Sequence, residues 1–236
     1  MNILITGTSR GIGLALAKSF LSHGATVFAT VRNPSSAASL QELQKAHDTA
    51  LVIVPCDVSR DESVAECAEK TASQTDSLDI LVNNAAIYPR PDNERLENIP
   101  FEKIMAAINT NTIGPMRTAK AFIPLLKKGN NPRIVNISSG AGSISKLMAP
   151  QPSYGYAISK AALNMATRSM AGDLKEYGIT VTAVSPGWVR TDMGGPSAAI
   201  SPEESATSIT KTVLGLTMEK SSLWLNRQGH EAEWAW

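Results

Sequence analysis

Cysteine, histidine and one-sided charge are all scarce in this sequence. Its two cysteines, Cys56 and Cys67, make no Cys-x-x-Cys pair and have no clustered histidine beside them. Neither a thiol-redox motif nor a zinc site is indicated, and two reduced thiols packed in or near the core are expected. His23, His47 and His230 stand far apart and give no metal-ligand spacing. Lys and Arg number 22 against 21 Asp and Glu, with no long block of either sign. A nucleic-acid binder or a polybasic membrane protein would carry a basic stripe, so neither nucleic acid nor membrane is expected as a partner. No apolar run approaches the ~18 residues that a membrane span needs. The first strand candidate, Asn2-Ile3-Leu4-Ile5, follows directly on Met1 and leaves no room for a signal peptide. The expected location is the cytoplasm.

What the sequence does contain is a regular alternation. Short apolar runs, Ile3-Leu4-Ile5, Thr26 to Val31, Leu51-Val52-Ile53-Val54, Ile80-Leu81-Val82, Ile134 to Ile137 and Thr180 to Val184, are separated by longer helical patterns. A weaker candidate, Leu223-Trp224-Leu225, lies near the end. Strands that read as continuous apolar runs are buried on both faces, which requires helices on each side of a mainly parallel sheet. The expected fold is a doubly wound α/β sheet, and 236 residues without a linker, repeat or low-complexity tract predict one domain over 1–236. Ligands of such folds sit beyond the carboxyl ends of the strands. The loop-rich stretches Tyr88 to Pro100 and Gly194 to Pro202 are therefore candidates to cover a site.

The first strand runs into Thr6-Gly7-Thr8-Ser9-Arg10-Gly11-Ile12-Gly13. Glycines at such a place allow a tight turn, close approach of backbone to phosphate and tight helix–strand packing, and the helix N-terminus then offers N–H groups to a pyrophosphate. An ordinary turn before a helix would show the same glycines; their place after the first strand of an α/β chain favours a dinucleotide. At the end of the second strand an NAD enzyme usually has an acidic residue, whereas this chain has Val31-Arg32. Arg32 together with Arg10 would clamp a 2′-phosphate, which points to NADP(H). Either arginine alone is as easily a solvated surface charge.

Tyr156 and Lys160 are four apart in a helical composition and so share a face. A nearby ammonium favours phenolate and lowers a tyrosine pKa, and a tyrosine tuned in this way can protonate a carbonyl oxygen as hydride arrives at carbon. A packed ring beside a solvated amine would have the same spacing. Ser138 and Ser139 follow the strand at Ile134 to Ile137, where a carbonyl-polarising donor belongs and where serines also end strands for turn reasons.

These pieces, with Asp57-Val58, Asn83-Asn84-Ala85-Ala86, Asn111-Thr112-Ile113-Gly114 and Pro186-Gly187 in the same order, resemble the short-chain dehydrogenase/reductases over essentially the whole chain. The Gly-x-x-x-Gly-x-Gly spacing matches that family. The resemblance implies a seven-stranded parallel Rossmann sheet and NAD(P)-dependent chemistry at a carbonyl or alcohol. By position it implies Tyr156 as general acid/base, Ser139 as the carbonyl-orienting donor and Lys160 on the nicotinamide ribose, lowering the Tyr156 pKa. Asn111 would kink its helix and order a water that relays protons to Lys160. Cofactor contacts are implied for Gly7, Ser9, Arg10, Gly11, Ile12, Gly13, Arg32, Val58, Ala85, Tyr156, Lys160, Pro186, Gly187 and Thr191. Asp57 would meet the adenine, Asn84 would form the adenosine-side cradle and Val189 would meet the nicotinamide carboxamide. Asp57 also reads as a strand-end turn, and Pro186 as a turn before a helix.

Ala86 stands where the family usually has glycine, and the gap from Ser139 to Tyr156 is a few residues longer than common, filled by Lys146 to Pro150 as part of a pocket wall. The start of the chain, the run Pro186 to Pro196 and the short C-terminus resemble the branch of C-factor and Sniffer-like carbonyl reductases. That branch implies NADPH-dependent reduction of small or hydrophobic aldehydes and ketones. Trp188, Met148 and Met193 could line an apolar pocket or simply pack in the fold. A cofactor-binding signalling or sensor protein of the C-factor type is an alternative, as is an alcohol dehydrogenase working oxidatively. Keeping tyrosine, lysine, serine and asparagine together argues for a working enzyme. Family members often pair through the helices holding Asn111 and Tyr156, so a homodimer or homotetramer is expected.

Overall fold

The computed structural model describes residues 1–89, 96–145 and 153–232. Seven strands form one sheet: β1 (Asn2–Thr6), β2 (Thr26–Val31), β3 (Leu51–Pro55), β4 (Ile80–Asn83), β5 (Arg133–Ile137), β6 (Thr180–Ser185) and β7 (Trp224–Asn226). Their order is β3-β2-β1-β4-β5-β6-β7, and every pairing is parallel. Leu4 is flanked by Phe28 on one side and Leu81 on the other.

The two-residue period of a strand sends alternate side chains to opposite faces, and both faces are apolar here. Ile3, Ile5, Val27, Ala29, Ile80, Val82 and Val135 pack with α1 (Gly11–Ser22), α2 (Ala38–His47) and α7 (Pro202–Leu214), through Leu16, Phe20, Leu40 and Ile209. Leu4, Phe28, Val54, Leu81, Ile134 and Val181 face the other layer. That layer holds α3 (Asp61–Ala72), α5 (Gly114–Leu126) and α6 (Tyr154–Leu174), which contribute Val64, Phe122 and Met170. Each such side chain fully withdrawn from water contributes about 1.5–3 kcal/mol. Cys56 and Cys67 are buried thiols in this second layer.

A polar chain runs through the second layer. Thr118 Oγ1 donates to Asn83 Oδ1 (2.6 Å), Asn83 Nδ2 to Asn136 Oδ1 (2.9 Å) and Asn136 Nδ2 to Thr167 Oγ1 (2.9 Å). It bolts α5 and α6 to β4 and β5, so the helices that carry the site have a fixed position over the strand ends. A short helix, α4 (Phe101–Ile108), packs on α6 and continues into α5 through a π turn at Asn109–Ile113. Among the described residues no helix is long and apolar enough to cross a membrane, and no cluster of potential metal ligands occurs.

Candidate active site

Strand order reverses between β1 and β4, where the crevice of a doubly wound sheet opens. The chain leaves β1 through Gly7 (φ +72°) and enters α1 at Gly11 (φ +58°), left-handed conformations that glycine adopts without strain. A Cβ on Gly7 would stand 2.8 Å from Ala85 Cα, and one on Gly13 would overlap the Gly7 carbonyl oxygen and come within 2.5 Å of Asn84 Nδ2. Asn84 braces this turn: its Nδ2 donates to the carbonyls of Thr6 (2.9 Å) and Gly7 (3.0 Å). Thr6 Oγ1 in turn accepts from the backbone N–H groups of Asn84 and Ala85, both at 3.0 Å. Arg10, the N-cap of α1, gives no side-chain acceptor to the first-turn N–H groups, which suits them to a pyrophosphate.

The crevice is a cleft of about 540 Å³. Gly7, Ser9, Arg10, Gly11, Ile12, Gly13, Arg32, Asp57, Val58, Asn84, Ala85, Tyr156, Lys160, Pro186 and Thr191 all line it. So do Ala86 and Met193. The glycine turn and the close approaches to Ala85 and Asn84 leave the backbone open to a dinucleotide, so the residues present fit NAD(P)(H). At the Arg32 end, burial pushes the Asp57 carboxyl up. Hydrogen bonds from Ser59 and the charges of Arg32 and Arg60 outweigh burial and hold it below the usual range.

At the other end α6 is capped by Ser153, whose Oγ accepts from Tyr156 N (3.3 Å). Tyr156 and Lys160, one turn apart, both reach the cleft. Burial pushes the Tyr156 phenol up to about 12, a hydrogen bond with Ser139 pulls it down and Tyr88 pushes it further up. Burial also draws Lys160 down to about 8. Its Nζ donates to the Ile137 carbonyl at 2.7 Å and lies 5.7 Å from the Tyr156 ring centroid. The spacing on α6 led us to expect a lowered tyrosine pKa; the structure has a raised one. The reason is that the phenol loses more hydration than an ammonium aimed at a carbonyl returns.

Asn111 lies in the π turn, just behind the cleft wall, and its side chain is spent on the protein. Oδ1 accepts from Ile87 N (2.8 Å), while Nδ2 donates to Ile87 O (2.9 Å) and Ser159 Oγ (3.0 Å). Ser159 Oγ passes a hydrogen bond on to the Tyr156 carbonyl (2.8 Å). Asn111 thus ties the loop after β4 to the turn of α6 that carries Tyr156.

Some expected residues stand elsewhere. Ser139 is beside the cleft, with its Oγ accepting from Ala141 N (3.2 Å) and near enough to the Tyr156 phenol to draw its pKa down. Val189 is buried and bridges to Ile200, and Gly187 faces a neighbouring cavity of about 330 Å³ that Trp188 shares. Trp188 therefore does not wall one apolar pocket with Met193. Its Nε1 donates to the Gly194 carbonyl (2.8 Å), which holds the exposed indole away from the cleft. Arg10 is paired with Asp192 (2.9 Å). Met148 and the Lys146 to Pro150 wall lie outside the described residues. Tyr88 and Asp192 carry no motif or spacing signal in the sequence. Tyr88 meets the Tyr156 ring, Ser138 donates from Oγ to Asn164 Oδ1 (2.5 Å), and neither contact leaves a spacing signal.

Residues 1–200 match the family model described as short chain dehydrogenase. The structure is similar to an NADPH-bound carbonyl reductase from chicken fatty liver, with 35% identity and a TM-score of 0.92 over 99% of this chain and 98% of that one. It is also similar to the carbonyl reductase Sniffer of D. melanogaster, with 32% identity and a TM-score of 0.91 over 99% of both chains. C-signal of Myxococcus xanthus is 34% identical over 160 residues, 68% of this chain and 95% of that protein.

Proposed function

The chain belongs to the short-chain dehydrogenase family and is an oxidoreductase, and on that footing we propose that it is an NADPH-dependent carbonyl reductase acting on an aldehyde or ketone. The observation that carries this reading is that Tyr156 and Lys160, one turn apart on α6, reach the same cleft as the glycine turn. Burial keeps the Tyr156 phenol protonated at neutral pH, the form that gives a proton to a carbonyl oxygen. NADPH supplies the hydride when bound. Ser139 orients the carbonyl and Tyr156 Oη gives its proton to the oxygen. Lys160 holds the ribose hydroxyls, and Asn111 fixes Tyr156 through Ser159.

Arg32 at the adenosine end and the carbonyl reductases found as structural neighbours, one with NADPH bound, support the phosphorylated cofactor. We assign Gly7, Ser9, Arg10, Gly11, Ile12, Gly13, Asp57, Val58, Asn84, Ala85, Pro186 and Thr191 to its cradle. We treat residues 1–236 as one domain. Exposed Phe101 and Met105 on α4 and Met165 on α6 support a homodimer or homotetramer; a monomeric mass by light scattering refutes it.

The test is NADPH turnover on a panel of aldehydes and diketones, wild type against Tyr156→Phe, with NADPH and NADH binding compared for wild type and Arg32→Ala. Carbonyl turnover that Tyr156→Phe abolishes supports the reading. The resemblance to C-signal keeps a signalling protein as the second reading. Tight cofactor binding without turnover of any carbonyl favours it.

A further inference from the structure

Arg10 and Asp192 meet at the cleft. Arg10 Nε stands 2.9 Å from Asp192 Oδ2, and both side chains are largely exposed. Arg10 belongs to the glycine turn, whereas Asp192 belongs to the segment that follows β6. Beside the ion pair the two pieces touch again, since a Cβ on Gly11 would meet Thr191 Cγ2 at 3.2 Å. The segment is otherwise folded on itself. The Thr191 carbonyl accepts from Gly195 N (2.8 Å) and Thr191 Oγ1 from Gly194 N (3.1 Å), while Arg190 N donates to Ile200 O (2.9 Å). Among the described residues Arg10–Asp192 is the ion pair that joins this segment to the turn.

Arg10 is also one of the two guanidiniums, with Arg32, assigned above to the 2′-phosphate. A guanidinium binds a phosphate or carboxylate best through two parallel N–H groups along one edge of its fork. The Asp192 carboxylate already stands against Nε, and a second anion brought to the same guanidinium meets the repulsion of the first. The carboxylate and the phosphate are therefore rivals for one side chain.

We propose that Asp192 is a specificity-determining residue: it competes with the 2′-phosphate of the cofactor for Arg10 and thereby moderates the preference for NADPH over NADH. A ribose that carries only a hydroxyl leaves the pair intact, so the competition falls on NADPH alone. This rests on the NADPH reading of the site.

The experiment is fluorescence titration of NADPH and NADH against wild type, Asp192→Asn, Arg10→Gln and the double variant. Asp192→Asn is expected to tighten NADPH about two- to five-fold, the size of an exposed ion pair, and to leave NADH unchanged. In the Arg10→Gln background the same change should have no effect on either cofactor. If wild type prefers NADPH but Asp192→Asn leaves that cofactor's Kd unchanged, weakens it, or tightens NADH equally, this inference is overturned and the cofactor reading stands. Wild type holding NADH as tightly as NADPH overturns the cofactor reading and this inference with it.

Discussion

The ring of Tyr156 meets the ring of Tyr88 edge-on, with centroids 4.7 Å apart and planes at 88°. Tyr88 follows Ile87, whose N–H and carbonyl are both bonded to Asn111. Asn111 therefore acts on Tyr156 from two directions, through Ser159 on the ring's own helix and through Ile87 and Tyr88 against the ring. An aromatic pair of this geometry is worth about 0.5–1.5 kcal/mol beyond its buried area, enough to select one ring orientation.

Replacing Tyr88 by leucine should lower kcat about three- to ten-fold, because the proton donor loses its stop at a cost of that order. The dissociation constant of the cofactor should hold within two-fold, and Tyr88→Phe should restore most of the rate. Steady-state kinetics with equilibrium cofactor titration separate these outcomes; a loss confined to cofactor binding contradicts the positioning role.

Tyr156→Phe keeps the ring and removes the proton. A general acid typically contributes 10²- to 10⁴-fold, so kcat should fall by about that factor while NADPH binding is retained. Retained turnover in this variant would remove the phenol from the chemistry.

Lys160 gives a stability signature. Its pKa is about 8 in the folded protein against 10.5 for the free side chain. Between those values the unfolded chain binds more protons, so this group makes stability rise as pH goes from about 8 to 10.5. Urea unfolding of wild type and Lys160→Met at pH 7.5 and pH 10 should show wild type gaining about 2 kcal/mol relative to the variant. A difference that is flat with pH would mean that the ammonium is not desolvated.

Gly13→Ala should damage the cofactor cradle, since its Cβ collides with the Gly7 carbonyl and with Asn84. Overpacking of this kind costs about 1–3 kcal/mol, and the turn that must shift is the one under the pyrophosphate. A cofactor Kd raised at least about ten-fold, with a lower melting temperature, is the expected result.

Asn136→Ala removes one partner each from Asn83 Nδ2, which keeps the Pro115 carbonyl at 3.4 Å, and from Thr167 Oγ1, which keeps the Leu163 carbonyl at 2.8 Å. Losing two buried hydrogen bonds at about 0.5–1.5 kcal/mol each should show as a loss of about 1–3 kcal/mol on chemical denaturation. No change in stability would mean that the network does not hold α5 and α6.

The sequence by itself determined the frame. Apolar runs such as Ile3-Leu4-Ile5 and Ile80-Leu81-Val82 can only be strands buried on both faces, and the glycines after β1 can only serve a turn that bulkier side chains would block. Even the short β7, read weakly from Leu223 to Leu225, appears at Trp224–Asn226. Period and steric exclusion are local properties, so they are written in consecutive residues. What only the tertiary structure decided is how distant groups act on one another. The Tyr156 pKa follows first from burial, then from Ser139, which lowers it, and Tyr88, which raises it, both remote in sequence. Arg10 looked like a phosphate ligand from its position, yet Asp192, far along the chain, holds it. The Tyr–Lys spacing on one helix turn was legible at once; whether the phenol sits high or low was not, because desolvation is set by everything packed around it.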